Sequence, residues 1–203
     1  MIKKLQNGLM KSKNRKLSLR YGENPNQKAH LVSYRKRSIF DYQISGKQIS
    51  YNNIIDLDSG IRCLNEFNEP TSIIIKHTNP CGVASAKNIN EAFQKAYESD
   101  KKSAFGGIIF LNRNVNSKLA KKIFKNFFEM VVAPKFENEA IKILMNKKNL
   151  ILLKLPKTEN KKIDYKSTLF GDLYQTKDVL PISQNFINLV SKKKGAKKSI
   201  HDL

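Results

Sequence analysis

From Asn53 to Leu155 the chain alternates short apolar runs with stretches whose apolar residues recur every third or fourth position. That alternation constrains the fold more than any other feature. Ile54, Leu57, Ile61 and Leu64 stand at helical spacing and predict a helix over 53–67, ended at Glu69-Pro70. Thr71 to Lys76 is β-branched and apolar, hence a buried strand, followed by a loop from His77 to Ser85 that contains Pro80 and Gly82. Asn88 followed by Glu91 approximates a capping box and opens a helix over 89–98. Ile108 to Leu111 is a strand behind Gly106-Gly107, and Leu119, Ile123 and Phe127 mark a helix over 117–128. Met130 to Ala133 is a strand ended by Pro134, Asn138 to Met145 a helix, and Leu150 to Leu155 a strand.

Strands alternating with helices of this kind predict a mainly parallel sheet with helices on its faces, a three-layer α/β/α unit built by right-handed crossovers. Ligands of such sheets gather beyond the carboxyl ends of the strands. That rule places the loops 76–82, 104–107 and 133–136 around one site. Ahead of this core, residues 1–18 read as a basic lead-in, LRYGENPNQK at 19–28 as a loop, and His30 to Tyr34 and Tyr42 to Ser50 as short strands, the second broken by a turn at Ser45-Gly46-Lys47. The expected organisation is a lead-in at 1–18, one subdomain at 19–162, and a connecting segment at 163–203.

The formal net charge of +21 first suggests nucleic acid. Its distribution argues otherwise: residues 1–37 carry +10 and 101–162 carry +11, while 38–100 carry −3. Only six of the 38 basic residues are arginine, the side chain suited to bidentate phosphate or base readout. The excess is read as lysine-rich coding bias displayed on solvated faces, and a nucleic-acid-binding module is the disfavoured reading. No apolar stretch approaches the ~20 residues of a membrane span. Two cysteines, Cys63 and Cys81, exclude a disulfide scaffold and fit a reducing cytoplasm.

Lys76-His77 is the sharpest chemical pair. It stands where a buried strand gives way to a Pro/Gly loop, so both side chains can reach one ligand. A neighbouring ammonium favours the neutral imidazole, which is then available as a base. The same two residues are also readable as surface polar groups at a strand terminus. Pro80-Cys81 matches half of a zinc deaminase signature, but no H-x-E and no C-x-x-C accompanies it, so no metal is expected. Gly106-Gly107 permits close backbone approach to a ligand or merely strand packing. Arg20-Tyr21 pairs a guanidinium with an amphipathic ring, suited to a phosphate or a base, or anchors its loop to the core through Tyr21. There is no P-loop and no G-x-G-x-x-G.

These motifs occur together and in order in one family. Leu19 to Pro25, LRYGENP, resembles the opening motif of AICAR transformylase, the formyltransferase half of the bifunctional purine biosynthesis proteins. QISYNNIIDLD at 48–58, IKHTNPCGVA at 75–84, SAFGGII at 103–109 and VVAP at 131–134 are similar to its successive blocks, with KKNL at 147–150 closing the series. The resemblance implies a cytidine-deaminase-like α/β/α subdomain with a mainly parallel or mixed sheet. It implies formyl transfer from 10-formyltetrahydrofolate, as co-substrate, to the 5-amino group of AICAR, with no metal required. By resemblance His77 is the proton acceptor and Lys76 the charge stabiliser, while Arg20, Tyr21, Gly106 and Glu129 bind the AICAR nucleotide. Asn26 departs from the family's usual His. The family continues beyond the match to Lys194–Leu203, so the chain is expected to be a fragment. It would then act within a homodimer or beside a companion chain, or remain an AICAR-binding half-enzyme.

Overall fold

The computed structural model describes residues 15–33, 38–155 and 163–176. The chain divides into two compact units, Met1–Lys157 and Thr158–Leu203.

The first unit is built on a six-stranded mixed sheet. Strands β1 (Arg15–Ser18) and β2 (His30–Ser33) form a separate antiparallel pair. The large sheet contains β3 (Gln43–Ser45), β4 (Thr71–Lys76), β5 (Asn79–Ser85), β6 (Ile108–Leu111), β7 (Met130–Ala133) and β8 (Ile151–Lys154), in the spatial order β3-β8-β7-β6-β4-β5. Helices α1 (Tyr51–Leu64), α2 (Ile89–Ser99), the single turn α3 (Lys101–Ala104), α4 (Ser117–Phe124) and α5 (Asn138–Met145) connect them. The second unit contains an antiparallel hairpin, β9 (Ile163–Thr168) with β10 (Gly171–Thr176).

Side-chain alternation divides the core in two. Ile73, Ile75, Ile108, Phe110, Met130, Val132, Ile151 and Leu153 face one way and pack with Leu57 and Leu64 of α1. Ile74, Ile109, Leu111, Val131, Ala133 and Leu152 face the other way, against α2, α4 and α5. Strands apolar on both faces are what a sheet covered by helices on each side requires. The α/β/α layering and the mixed sheet are both as the resemblance implies.

Side chains of Ser50, Asn88, Asp100 and Asn116 cap the first four helices, α1 to α4. The Ser50 hydroxyl accepts from the Asn53 amide while the Asn53 side chain accepts from the Ser50 amide. That reciprocal pair starts α1 two residues before the expected Asn53. Its buried residues Asn53, Leu57, Gly60 and Leu64 fall on one helical stripe. Asn88 caps α2 by accepting from the Glu91 amide at 3.0 Å, as its sequence predicts. Helix α2 lies so close to β5 that a Cβ on Gly82 would stand 2.0 Å from the Ala96 carbonyl oxygen.

Four expectations are corrected. The sheet is not mainly parallel: β6-β7 and β7-β8 are parallel, but β3-β8, β4-β5 and β4-β6 are antiparallel. The segment after His77 is not a loop but β5, returning along β4 as a hairpin. The helix at 117–128 stops at Phe124, because Phe127 and Phe128 serve other contacts: Phe127 packs at a tilt against Phe105 and Phe128 packs edge-on against Phe93 and Tyr97. The tail of the segment read as a lead-in, Arg15–Ser18, is a strand. Tyr34, residues 1–14 and most of the connecting segment lie outside the described residues.

Candidate active site at one edge of the sheet

The direction of β4 decides which loops meet. Because β4 runs against β6, the carboxyl end of β4 stands beside the amino ends of β6, β7 and β8, with Ile75 opposite Ile108, Ile108 opposite Met130, and Met130 opposite Ile151. Lys76-His77, Gly106 and Glu129 therefore share one edge. The loop 133–136 does not join them. It leaves the opposite edge, where Val115 bridges to Phe136, so its expected place beside Lys76-His77 is corrected.

Lys76 pairs with Asn79, leaving His77-Thr78 as a two-residue hairpin turn. Both turn residues are left-handed, His77 at φ 53° and Thr78 at φ 65°. Two positive φ values give the turn that best matches strand twist, usually supplied by Asn-Gly or Asp-Gly. A β-branched threonine in that region is a strained exception. Helix α1 holds it there. The Thr78 amide donates to Asp56 Oδ1 at 2.7 Å and its carbonyl accepts from Ser59 Oγ at 2.5 Å. Asn79 Nδ2 and Thr78 Oγ1 both donate to the His77 carbonyl. His77 itself is exposed. Partial burial raises the Asp56 carboxyl above its ordinary range; the Thr78 amide and the nearby His77 partly offset that rise.

Lys76 Nζ donates to the Phe105 carbonyl at 2.7 Å, tying β4 to the turn before β6. Gly106 sits at φ 74°, a conformation glycine adopts freely, and its amide donates to Phe127. The Glu129 amide donates to the Gly107 carbonyl, and its carboxylate pairs with Lys47 from the turn after β3. Neither Lys47 nor the Asp56–Ser59 clamp stands out in the sequence. Asp56 precedes Ser59 by three positions on a helix, but their common target lies about twenty residues on.

Arg20 and Tyr21 reach the start of α1 through the backbone: Arg20 donates to Ile49, and Tyr51 donates to Tyr21. The Arg20 guanidinium lies 4.6 Å from the Tyr21 ring centroid and donates to its hydroxyl at 2.8 Å. Arg20 Nε is buried and has no hydrogen-bond partner among the described residues. A hollow of about 390 Å³ beside it is lined by Gly22, Glu23, Gln27, Lys28, Ala29 and Tyr51. Asn26, in the same loop, is exposed. Cys81 donates to the Ile74 carbonyl, and burial pushes its thiol up, so it stays a thiol at neutral pH.

The family model for the AICARFT/IMPCHase bienzyme matches residues 2–203. The chain belongs to that family. Over 191 residues it is 47% identical to the bifunctional purine biosynthesis protein PurH of Thermoanaerobacter sp. (strain X514), covering 91% of this chain and 37% of that protein. It is 48% identical over 177 residues to PurH of Staphylococcus epidermidis (strain RP62A), covering 85% and 36%. The chain thus spans little more than a third of the length of the curated family members it matches. Among solved structures, the apo dCMP deaminase of cyanophage S-TIM5 aligns at a TM-score of 0.37 and 14% identity, over 49% of this chain and 93% of that one. A likeness of that size decides nothing about activity. Among the described residues no helix is long and apolar enough to cross a membrane.

Proposed function

We propose that this unit serves purine biosynthesis by formyl transfer from 10-formyltetrahydrofolate to the 5-amino group of AICAR. The observation that carries the reading is the presentation of Lys76 and His77 on the same sheet edge as Gly106 and Glu129, within a family whose relatives are named as bifunctional purine biosynthesis proteins.

The amine of AICAR is conjugated with its ring and is a weak nucleophile, so its proton must leave as the bond to the formyl carbon forms. His77, exposed at the hairpin turn, takes that proton and returns it to N10 of the folate as the bond from the formyl carbon to N10 breaks and tetrahydrofolate leaves. Lys76, held beside Phe105, supplies the positive charge that the developing oxyanion needs. Arg20, its guanidinium 4.6 Å from the Tyr21 ring centroid, supplies the cation for the nucleotide phosphate. Gly106 brings backbone close to the ligand, and Glu129 accepts from its donor groups while Lys47 offsets the carboxylate's charge next to an anionic substrate. Homodimeric assembly, a companion chain with further substrate contacts, and a cytoplasmic location belong to the same proposal.

Isothermal titration with AICAR tests it. Saturable binding that Arg20→Ala abolishes is the expected result. No detectable binding at millimolar AICAR overturns it, as does salt-sensitive binding of duplex DNA in place of AICAR.

A further inference from the structure

We infer that Asp56 is a positioning residue: with Ser59 it clamps both main-chain polar groups of Thr78, and so fixes the left-handed turn that presents His77. The consequence for turnover rests on the formyl-transfer reading; the clamp itself does not.

Three observations converge. Thr78 at φ 65° and His77 at φ 53° occupy a region that neither residue type prefers, and threonine least of all. Such a conformation persists only where its surroundings over-determine it. Here one helix grips one residue twice, with Asp56 accepting from the amide and Ser59 donating to the carbonyl. Asp56 and Ser59 stand three residues apart on α1, the spacing that puts two side chains on one helical face. The helix is itself fixed to the sheet by Leu57, Gly60 and Leu64, which alternate with the clamp residues along it. The turn is thereby registered to the buried core rather than to the hairpin alone. Neither side chain need touch substrate: each acts through the orientation of His77.

The test compares Asp56→Ala, Asp56→Asn and Thr78→Gly in the 203-residue chain. Asparagine keeps an acceptor for the Thr78 amide, alanine removes it, and glycine removes the need for a clamp. Amide hydrogen exchange read by NMR is expected to quicken at Thr78 by about tenfold or more in Asp56→Ala, and to stay near wild type in Asp56→Asn. In formyl transfer, Asp56→Ala is expected to lower kcat about tenfold or more with KM for AICAR little changed, and Asp56→Asn to restore it. In the Thr78→Gly background Asp56→Ala should cost much less, a non-additivity that a general loss of stability does not produce. Unchanged Thr78 exchange in Asp56→Ala overturns the clamp. Full additivity with Thr78→Gly, or an Asp56→Asn variant as impaired as alanine, overturns the positioning role. If wild type neither binds AICAR nor transfers formyl groups, the functional reading falls, while exchange at Thr78 still decides the clamp.

Discussion

Lys76 donates its ammonium to the Phe105 carbonyl at 2.7 Å, and this one bond fastens the outgoing end of β4 to the turn that carries Gly106. It also fixes where the positive charge sits relative to the His77 turn. Removing the charge should therefore affect chemistry far more than folding, since the bond is exposed and a surface contact of this kind contributes little to stability. Lys76→Ala is expected to lower formyl transfer by about 10²–10³-fold, and His77→Ala by about 10²–10⁴-fold. Thermal unfolding of both should stay near wild type. Near-normal turnover in either variant would remove the assigned roles.

Asp56 predicts a pH dependence of stability. Burial raises its carboxyl above the ordinary 3.8, so the folded chain holds this proton more tightly than the unfolded chain does. Its contribution is therefore fully present below 3.8 and declines as pH rises from there through the raised folded value. Asp56→Asn cannot ionise and keeps the acceptor for Thr78. Its Tm should accordingly gain on wild type as pH is raised from below 3.8 through the raised folded value, then run parallel. A Tm difference that stays flat, or that moves against the variant, counts against this assignment.

Lys47 and Glu129 form an ion pair with side chains 21% and 26% exposed. Lys47→Met leaves the carboxylate partly buried without its cation, which should cost about 1 kcal/mol and a few degrees in Tm. Glu129→Gln should instead weaken AICAR binding with a smaller effect on Tm. Calorimetry on the two variants separates the effects, and equal changes in both quantities would mean that Glu129 has no role beyond the pair.

Gly82 admits no side chain. Its Cβ would meet the Ala96 carbonyl at 2.0 Å, and that oxygen belongs to the backbone of α2 and cannot swing aside. Gly82→Ala should force α2 off β5 and destabilise the unit by about 1–3 kcal/mol. Chemical denaturation measures it, and an unchanged midpoint would show that the two elements separate freely.

Much of this fold is legible because the relevant signals are local. The runs at 73–75, 108–111 and 130–132 are apolar at every position, and they are strands buried on both faces. The helices declare themselves through Leu57 and Leu64, through the Asn88-Glu91 cap, and through Leu119 and Ile123. The direction of β4 is not local. Apolar runs read alike in parallel and antiparallel strands, and the hairpin that reverses the chain turns on His77-Thr78, which carries no Asn-Gly or Asp-Gly mark. That missed turn misplaces the loop at 133–136, and together with the unread direction of β3 against β8 it accounts for the mainly parallel expectation.

The sequence by itself determined the layered α/β architecture, the family, and the candidacy of Lys76, His77, Arg20, Tyr21, Gly106 and Glu129, because periodicity and motif order are properties of neighbouring residues. Only the tertiary structure decided which of these stand together. It also supplied the partners that hold them: Asp56 and Ser59 on Thr78, Lys47 on Glu129, and the Phe105 carbonyl on Lys76. Those contacts join residues about 20 to 80 positions apart, and what brings them within hydrogen-bond reach is the burial of two apolar sheet faces rather than any pattern along the chain.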